Sequence, residues 1–116
     1  MKNLIILNDA PYGTERSYNS LRLALSLSKS DGEEVRLFLI GDAAACAKKG
    51  QKTPNGYYNI ESMLKAIAGH GGEIAVCGTC MDARAIASED LVPGSARGSM
   101  EILTTWTREA GKVIVF

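Results

Sequence analysis

Alternation of short apolar runs with helix-patterned segments restricts the fold of this chain more than any other feature. Leu4-Ile5-Ile6-Leu7 is apolar on both faces, as a strand inside a covered parallel sheet must be. The turn-forming loop Asn8-Asp9-Ala10-Pro11-Tyr12-Gly13 follows. Thr14 is placed to cap a helix that runs to about Lys29, with Tyr18, Leu21, Ala24 and Leu25 on its buried face and Asp31-Gly32 to stop it. Residues 35–40 read as the second strand, closed by Gly41-Asp42, and residues 43–49 as a short helix. Residues 50–56 carry turn formers without an apolar period and read as a mobile loop. Asn59 can cap a helix whose Ile60, Met63, Leu64 and Ile67 form one buried stripe. Gly69-His70-Gly71-Gly72 ends it before a third strand over residues 74–77. Leu91-Val92-Pro93-Gly94 reads as a very short strand or a loop. Ser99 then caps a last helix with Met100, Leu103 and Trp106 inward, Gly111 terminates it, and residues 113–116 form a final strand. The pattern predicts an α/β protein. It is a single three-layer α/β/α domain over residues 1–116, with a mainly parallel sheet of about five strands.

Size and charge narrow the function. A chain of 116 residues can bury a core without disulfide or metal staples. Thirteen basic residues balance 13 acidic ones, which removes the electrostatic case for nucleic acid. Weak self-repulsion also permits self-association. No apolar run approaches the roughly 20 residues of a membrane span. The N-terminal apolar stretch is too short for a signal peptide and is interrupted by Asn8-Asp9. The expected location is the cytoplasm, where three cysteines remain thiols.

Two of those cysteines fall in Cys77-Gly78-Thr79-Cys80, where a strand passes into a helix beginning Met81-Asp82-Ala83-Arg84. Backbone N–H groups and the helix dipole favour a thiolate at such a junction. Arg84, four residues after Cys80, can share its helix face and add positive charge. Asp82 suits the first turn but opposes a thiolate. Ligands of open parallel sheets bind beyond the carboxyl ends of the strands. Asn8, Asp9 and Tyr12, with Gly41-Asp42 and the cysteine pair, are therefore expected to gather at one edge. The same C-x-x-C spacing permits a disulfide, as in thioredoxin-like redox motifs, or two structural cysteines. Zinc wants four ligands, and Cys46 and His70 lack ligand spacing. Cys46 reads as core and His70 as a surface loop residue or local cap, so neither metal nor cofactor is expected. Lys48, Lys49 and Lys52 read as a solvated face. Gly94-Ser95-Ala96-Arg97-Gly98-Ser99 precedes a helix and could hold an anion, without the spacing of a phosphate loop.

Asn8-Asp9, Pro11-Tyr12-Gly13-Thr14-Glu15-Arg16 and above all Cys77-Gly78-Thr79-Cys80-Met81-Asp82-Ala83-Arg84 resemble the DsrE/DsrF-like (YchN-like fold) family over nearly the whole chain. The resemblance implies a small cytoplasmic α/β protein assembled as a homotrimer or homohexamer. It further implies that sulfur is carried as a cysteine persulfide between donor and acceptor proteins, as in a sulfurtransferase. In the relay members the reactive cysteine lies seven residues before the second arginine of an Arg-Arg-Gly sequence. Measured back from Arg84, that spacing reaches Cys77. Ala85 follows Arg84 where the family usually has glycine, and Cys80 adds a second thiol one helical turn on, so both thiols stand as candidates. Asn8, Asp9, Tyr12, Gly78, Thr79, Asp82 and Arg84 are the expected supporting residues.

Overall fold

The computed structural model describes residues 1–116. Strands β1 (Lys2–Leu7), β2 (Glu34–Leu39), β3 (Glu73–Cys77), β4 (Ser95–Gly98) and β5 (Lys112–Val115) form one sheet in the order β4-β3-β2-β1-β5. Every neighbouring pair is parallel. Helices α1 (Arg16–Ser28), α2 (Ile60–Gly69), α3 (Gly78–Ala83) and α4 (Met100–Glu109) connect them, with 3-10 segments at Gly41–Ala47 and Ser88–Asp90. The fold is thus the three-layer α/β/α domain that the alternation implies.

The sheet grows outward from β1 to β4, and the chain then returns across it to β5 on the far edge. Right-handed crossovers require the helix of that last connection to lie on the opposite face. The packing follows this rule. Ile5, Leu7, Leu37, Leu39 and Val76 pack with Leu21, Leu64 and Ile67 of α1 and α2, whereas Leu4, Phe38 and Ala75 meet Ile102, Leu103 and Trp106 of α4. Alternate residues of one strand therefore serve different layers. Each fully buried leucine or isoleucine stabilises the fold by roughly 1.5–3 kcal/mol. On the α4 face Trp106 meets Phe38 edge-on at 6.4 Å. Arg36 lies 5.3 Å from the Trp106 ring and pairs with Glu73 at 3.1 Å and Glu109 at 2.6 Å.

Two expected caps form. Asn59 accepts from the Ser62 amide at 3.0 Å, and Ser99 accepts from the Ile102 amide at 3.2 Å; each contributes about 1 kcal/mol. Other expectations need correction. Thr14 does not cap α1: its hydroxyl donates to Asp9 at 3.0 Å, and the helix begins two residues later at Arg16. Turn chemistry outcompetes capping there. The segment read as a helix over residues 43–49 is 3-10, and its small Ala43, Ala44, Cys46 and Ala47 are all buried against the core. Of the two readings for residues 91–94, the loop holds, and the fourth strand is Ser95–Gly98, inside the segment read as able to hold an anion. A Cβ on Gly98 would stand 3.1 Å from Ala75 and 3.2 Å from Phe38, so glycine lets this edge strand come close. Met100 is 64% exposed rather than inward, and it begins α4 at the sheet edge. The loop read as mobile is fastened at its start. The Glu61 carboxylate accepts from the amides of Gly50 at 2.9 Å and Gln51 at 2.8 Å. No helix is long and apolar enough to cross a membrane.

Candidate functional site

Helix α3 is held at both ends by its sequence. Met81 is fully buried and anchors the single turn to the core. The turn closes with the Ile86 amide donating to the Met81 carbonyl at 3.0 Å and the Ala85 amide to the Asp82 carbonyl at 3.2 Å. This paired pattern needs a left-handed residue between, and Ala85 supplies it at φ 54°. At the other end Cys77 finishes β3 and serves as the N-terminal cap position, so α3 starts at Gly78, earlier than the sequence pattern suggests.

The two thiols look out on different layers. Cys77 packs against the Leu4, Phe38 and Ala75 cluster on the α4 face, and Cys80 packs against the main core. Both are free and partly exposed. Cys77 opens into a cavity of about 280 Å³ walled by Phe38, Ile40, Gly78, Arg97 and Met100, with Thr79 and Ser99 at its rim.

Their acidities diverge. Burial pushes the Cys77 thiol up, but hydrogen bonds from Cys80, from the Thr79 hydroxyl and from the amides of Cys80 and Thr79 outweigh it and bring the pKa below its ordinary value. The Thr79 oxygen stands 3.4 Å from the Cys77 sulfur. Cys80 goes the other way. Burial and the neighbouring Cys77 raise its pKa, against the Gly41 amide, which donates to its sulfur at 3.2 Å, and the Arg84 charge. Of the pair, Cys77 is the more readily ionised. Cys46 is excluded from such chemistry, since burial pushes its thiol up to about 12.

The expected supporting residues divide into two groups. Gly78, Thr79, Asp82 and Arg84 stand on α3 or at its end beside the thiols. Arg84 does not point its guanidinium at a sulfur. It donates to the Cys80 carbonyl at 3.0 Å and to Asp42 at 2.7 Å, tying α3 to the segment after β2. Asp82 is paired with Arg97 through contacts of 2.8 and 2.9 Å. The polar groups of Asn8, Asp9 and Tyr12 are engaged elsewhere. Asn8 donates to the Phe116 carbonyl at 2.9 Å, and the Asp9 carboxylate accepts from Thr14 at 3.0 Å. The Tyr12 hydroxyl donates to Gln51 at 2.7 Å and accepts from the Ile60 amide at 3.2 Å. His70 caps α2 through Nδ1, 2.8 Å from the Ala66 carbonyl. No cluster of three His, Cys, Asp or Glu side chains gathers to hold a metal ion.

Sequence reasoning placed Gly41-Asp42 at this edge but not the contact of the Gly41 amide with Cys80, since an amide carries no side-chain signal. It missed Arg97 as a contributor. Arg97 stood in the segment set aside as a possible anion loop, and its strand position is what brings it to Cys77.

Comparison with known proteins bears on the fold and the family. The DsrE/DsrF-like family model matches residues 1–116. The chain is 40% identical over 116 residues to the protein YchN of Escherichia coli, covering 99% of this chain and 98% of that one. It is 37% identical over 116 residues to an uncharacterized protein of Methanocaldococcus jannaschii, covering 100% of both. The crystal structure of the Escherichia coli ychN protein superposes with a TM-score of 0.91 at 38% identity, covering 100% of each chain. A protein of unknown function from Methanobacterium thermoautotrophicum shares the fold, with a TM-score of 0.77 at 10% identity over 99% of this chain and 98% of that one. With a family match from end to end and a relative this similar along nearly its whole length, the chain belongs to the DsrE/DsrF-like family.

Proposed function

We propose that this protein carries sulfur as a persulfide on Cys77. The observation that supports the reading most is that Cys77, the more acidic thiol, opens into a cavity while Cys80 faces the core. A carrier needs a thiolate that reaches a donor's sulfane sulfur and then offers the outer sulfur to an acceptor thiol. Membership of a family linked to sulfur relay supports sulfur over other thiol chemistry. The donor and acceptor are proteins in the reading taken from the family. The test is incubation with a sulfane donor followed by intact-mass measurement. Wild type and Cys80→Ser gain one sulfur atom, and Cys77→Ser does not. A gain that persists in Cys77→Ser would overturn the assignment.

A second reading, dithiol–disulfide exchange, is favoured by the way each thiol shifts the other's acidity. It requires each single mutant to lose activity equally. We also propose assembly as a homotrimer or homohexamer in the cytoplasm. Val113 and Val115 on the edge strand β5 are 44% and 62% exposed, an apolar surface suited to a second copy. Light scattering that finds a monomer at micromolar concentration would refute this.

A further inference from the structure

Arg97 is the one charged residue lining the cavity beside Cys77. Its guanidinium lies over Gly78, where a Cβ would stand 2.7 Å from both Cζ and Nε. Asp82 holds its two terminal nitrogens, and Nε donates to no protein group. Asp82 is itself largely exposed, so an incoming anion can displace it at little cost. Arg84 does not line this cavity; it lies against the Cys80 carbonyl and Asp42. The remaining walls, Phe38, Ile40 and Met100, present carbon. An inorganic anion would leave that carbon unmatched, and a neutral alkyl persulfide would leave the guanidinium unmatched. The cavity volume of about 280 Å³ falls below the roughly 300–1,000 Å³ of drug-sized sites, so the ligand is small.

We propose that this cavity takes a short mercapto-carboxylate in its persulfide form, with the carboxylate on Arg97 and the carbon chain against Phe38, Ile40 and Met100. The inference rests on Cys77 as the sulfur carrier. The Cys77 thiolate attacks the terminal sulfur of R–S–SH. The donor's S–S bond breaks, and its electron pair leaves on R–S⁻. The new S–S bond makes Cys77–S–SH, with the proton kept on the outer sulfur. No external oxidant or reductant takes part. Arg97 is thus a specificity-determining residue, and Asp82 is the internal competitor for its charge.

Two measurements on the whole protein test this. The first compares alkylation of Cys77 by iodoacetate, which is anionic, and by iodoacetamide, which is neutral, with the site mapped by mass spectrometry. Arg97→Met lowers the iodoacetate-to-iodoacetamide rate ratio about tenfold, from loss of a close opposite charge. Asp82→Asn raises the ratio, and Arg97→Lys keeps part of it. If Arg97 merely braces α3, both substitutions break the same ion pair and move the ratio the same way. That result, or no movement, overturns the anion site. The second compares loading by the persulfides of 3-mercaptopropionate and 2-mercaptoethanol. Wild type loads faster from the carboxylate donor, and Arg97→Met erases the difference. Equal rates in wild type overturn the proposed ligand class. Alkylation ratios that behave as expected, with no sulfur gained from either donor, would overturn Cys77 as carrier and leave the anion site standing.

Discussion

Gly41 donates its backbone N–H to the Cys80 sulfur across 3.2 Å and so fastens the carboxyl end of β2 to α3. The bond holds Cys80 on the core side of the turn, and Cys80 as a hydrogen-bond donor is one of the groups that lower the Cys77 pKa. The titrations of the two thiols are thereby coupled.

Replacing Cys80 by alanine removes that donor. The Cys77 pKa then rises toward its ordinary value, and the pH–rate profile of Cys77 alkylation moves to higher pH. At pH 7 the rate falls by roughly two- to tenfold, the worth of one hydrogen bond. An unchanged profile would show that the thiols do not interact.

Ala85 occupies the left-handed position that closes α3, at φ 54°. A non-glycine residue there costs roughly 1–2 kcal/mol, part of which glycine returns through its larger unfolded-state entropy. Ala85→Gly therefore stabilises the protein by about 1 kcal/mol, an upward shift of roughly 4–8 °C in a domain near 100 residues. Thermal unfolding followed by circular dichroism checks it.

Cys46 makes stability depend on pH in the alkaline range. Its thiol moves from 9.0 in the unfolded chain to about 12 in the fold, through burial. A group with a raised folded pKa contributes fully below its unfolded pKa, so the contribution is lost as pH rises from 9 toward 12. The loss approaches about 1.4 kcal/mol per pH unit. Cys46→Ala lowers stability at pH 7 by roughly 1 kcal/mol but flattens the decline above pH 9. Denaturant titrations across that range compare the two slopes.

Gly78→Ala separates stability from reactivity. The nearest atoms the added Cβ meets belong to the guanidinium of Arg97, an exposed and flexible side chain that can swing aside. Alanine also favours the helix that begins there. Stability changes by less than about 1 kcal/mol. Arg97 is displaced from Cys77, and the preference for iodoacetate falls as it does in Arg97→Met.

Most of the layered architecture was legible because burial imposes a period on the residues. Leu4 to Leu7 alternate between two buried layers, and Ile60, Leu64 and Ile67 keep one helical stripe under the Asn59 cap. Strand β4 was not legible. Ser95-Ala96-Arg97-Gly98 has no apolar period, and the segment is a strand only through its pairing with β3. The thiol pair was legible from its place after an apolar run. The unlike acidity of the two thiols was not, because it depends on how far the fold buries each sulfur and on how the two face each other, with the Gly41 amide working against the difference. Arg97 was missed as a site residue for the same reason as β4.

The return of the chain across the sheet also governs the order in which the fold can close. Strand β1 pairs with β2 soon after it is made, but its other edge waits for β5. The hydrogen bond from Asn8 to Phe116 spans 108 residues. Until that last strand arrives, the outer edge of β1, one strand from the margin of the finished sheet, lies open to any extended segment nearby. Long-range pairing of this kind is the slow part of folding and the part most exposed to mispairing between chains.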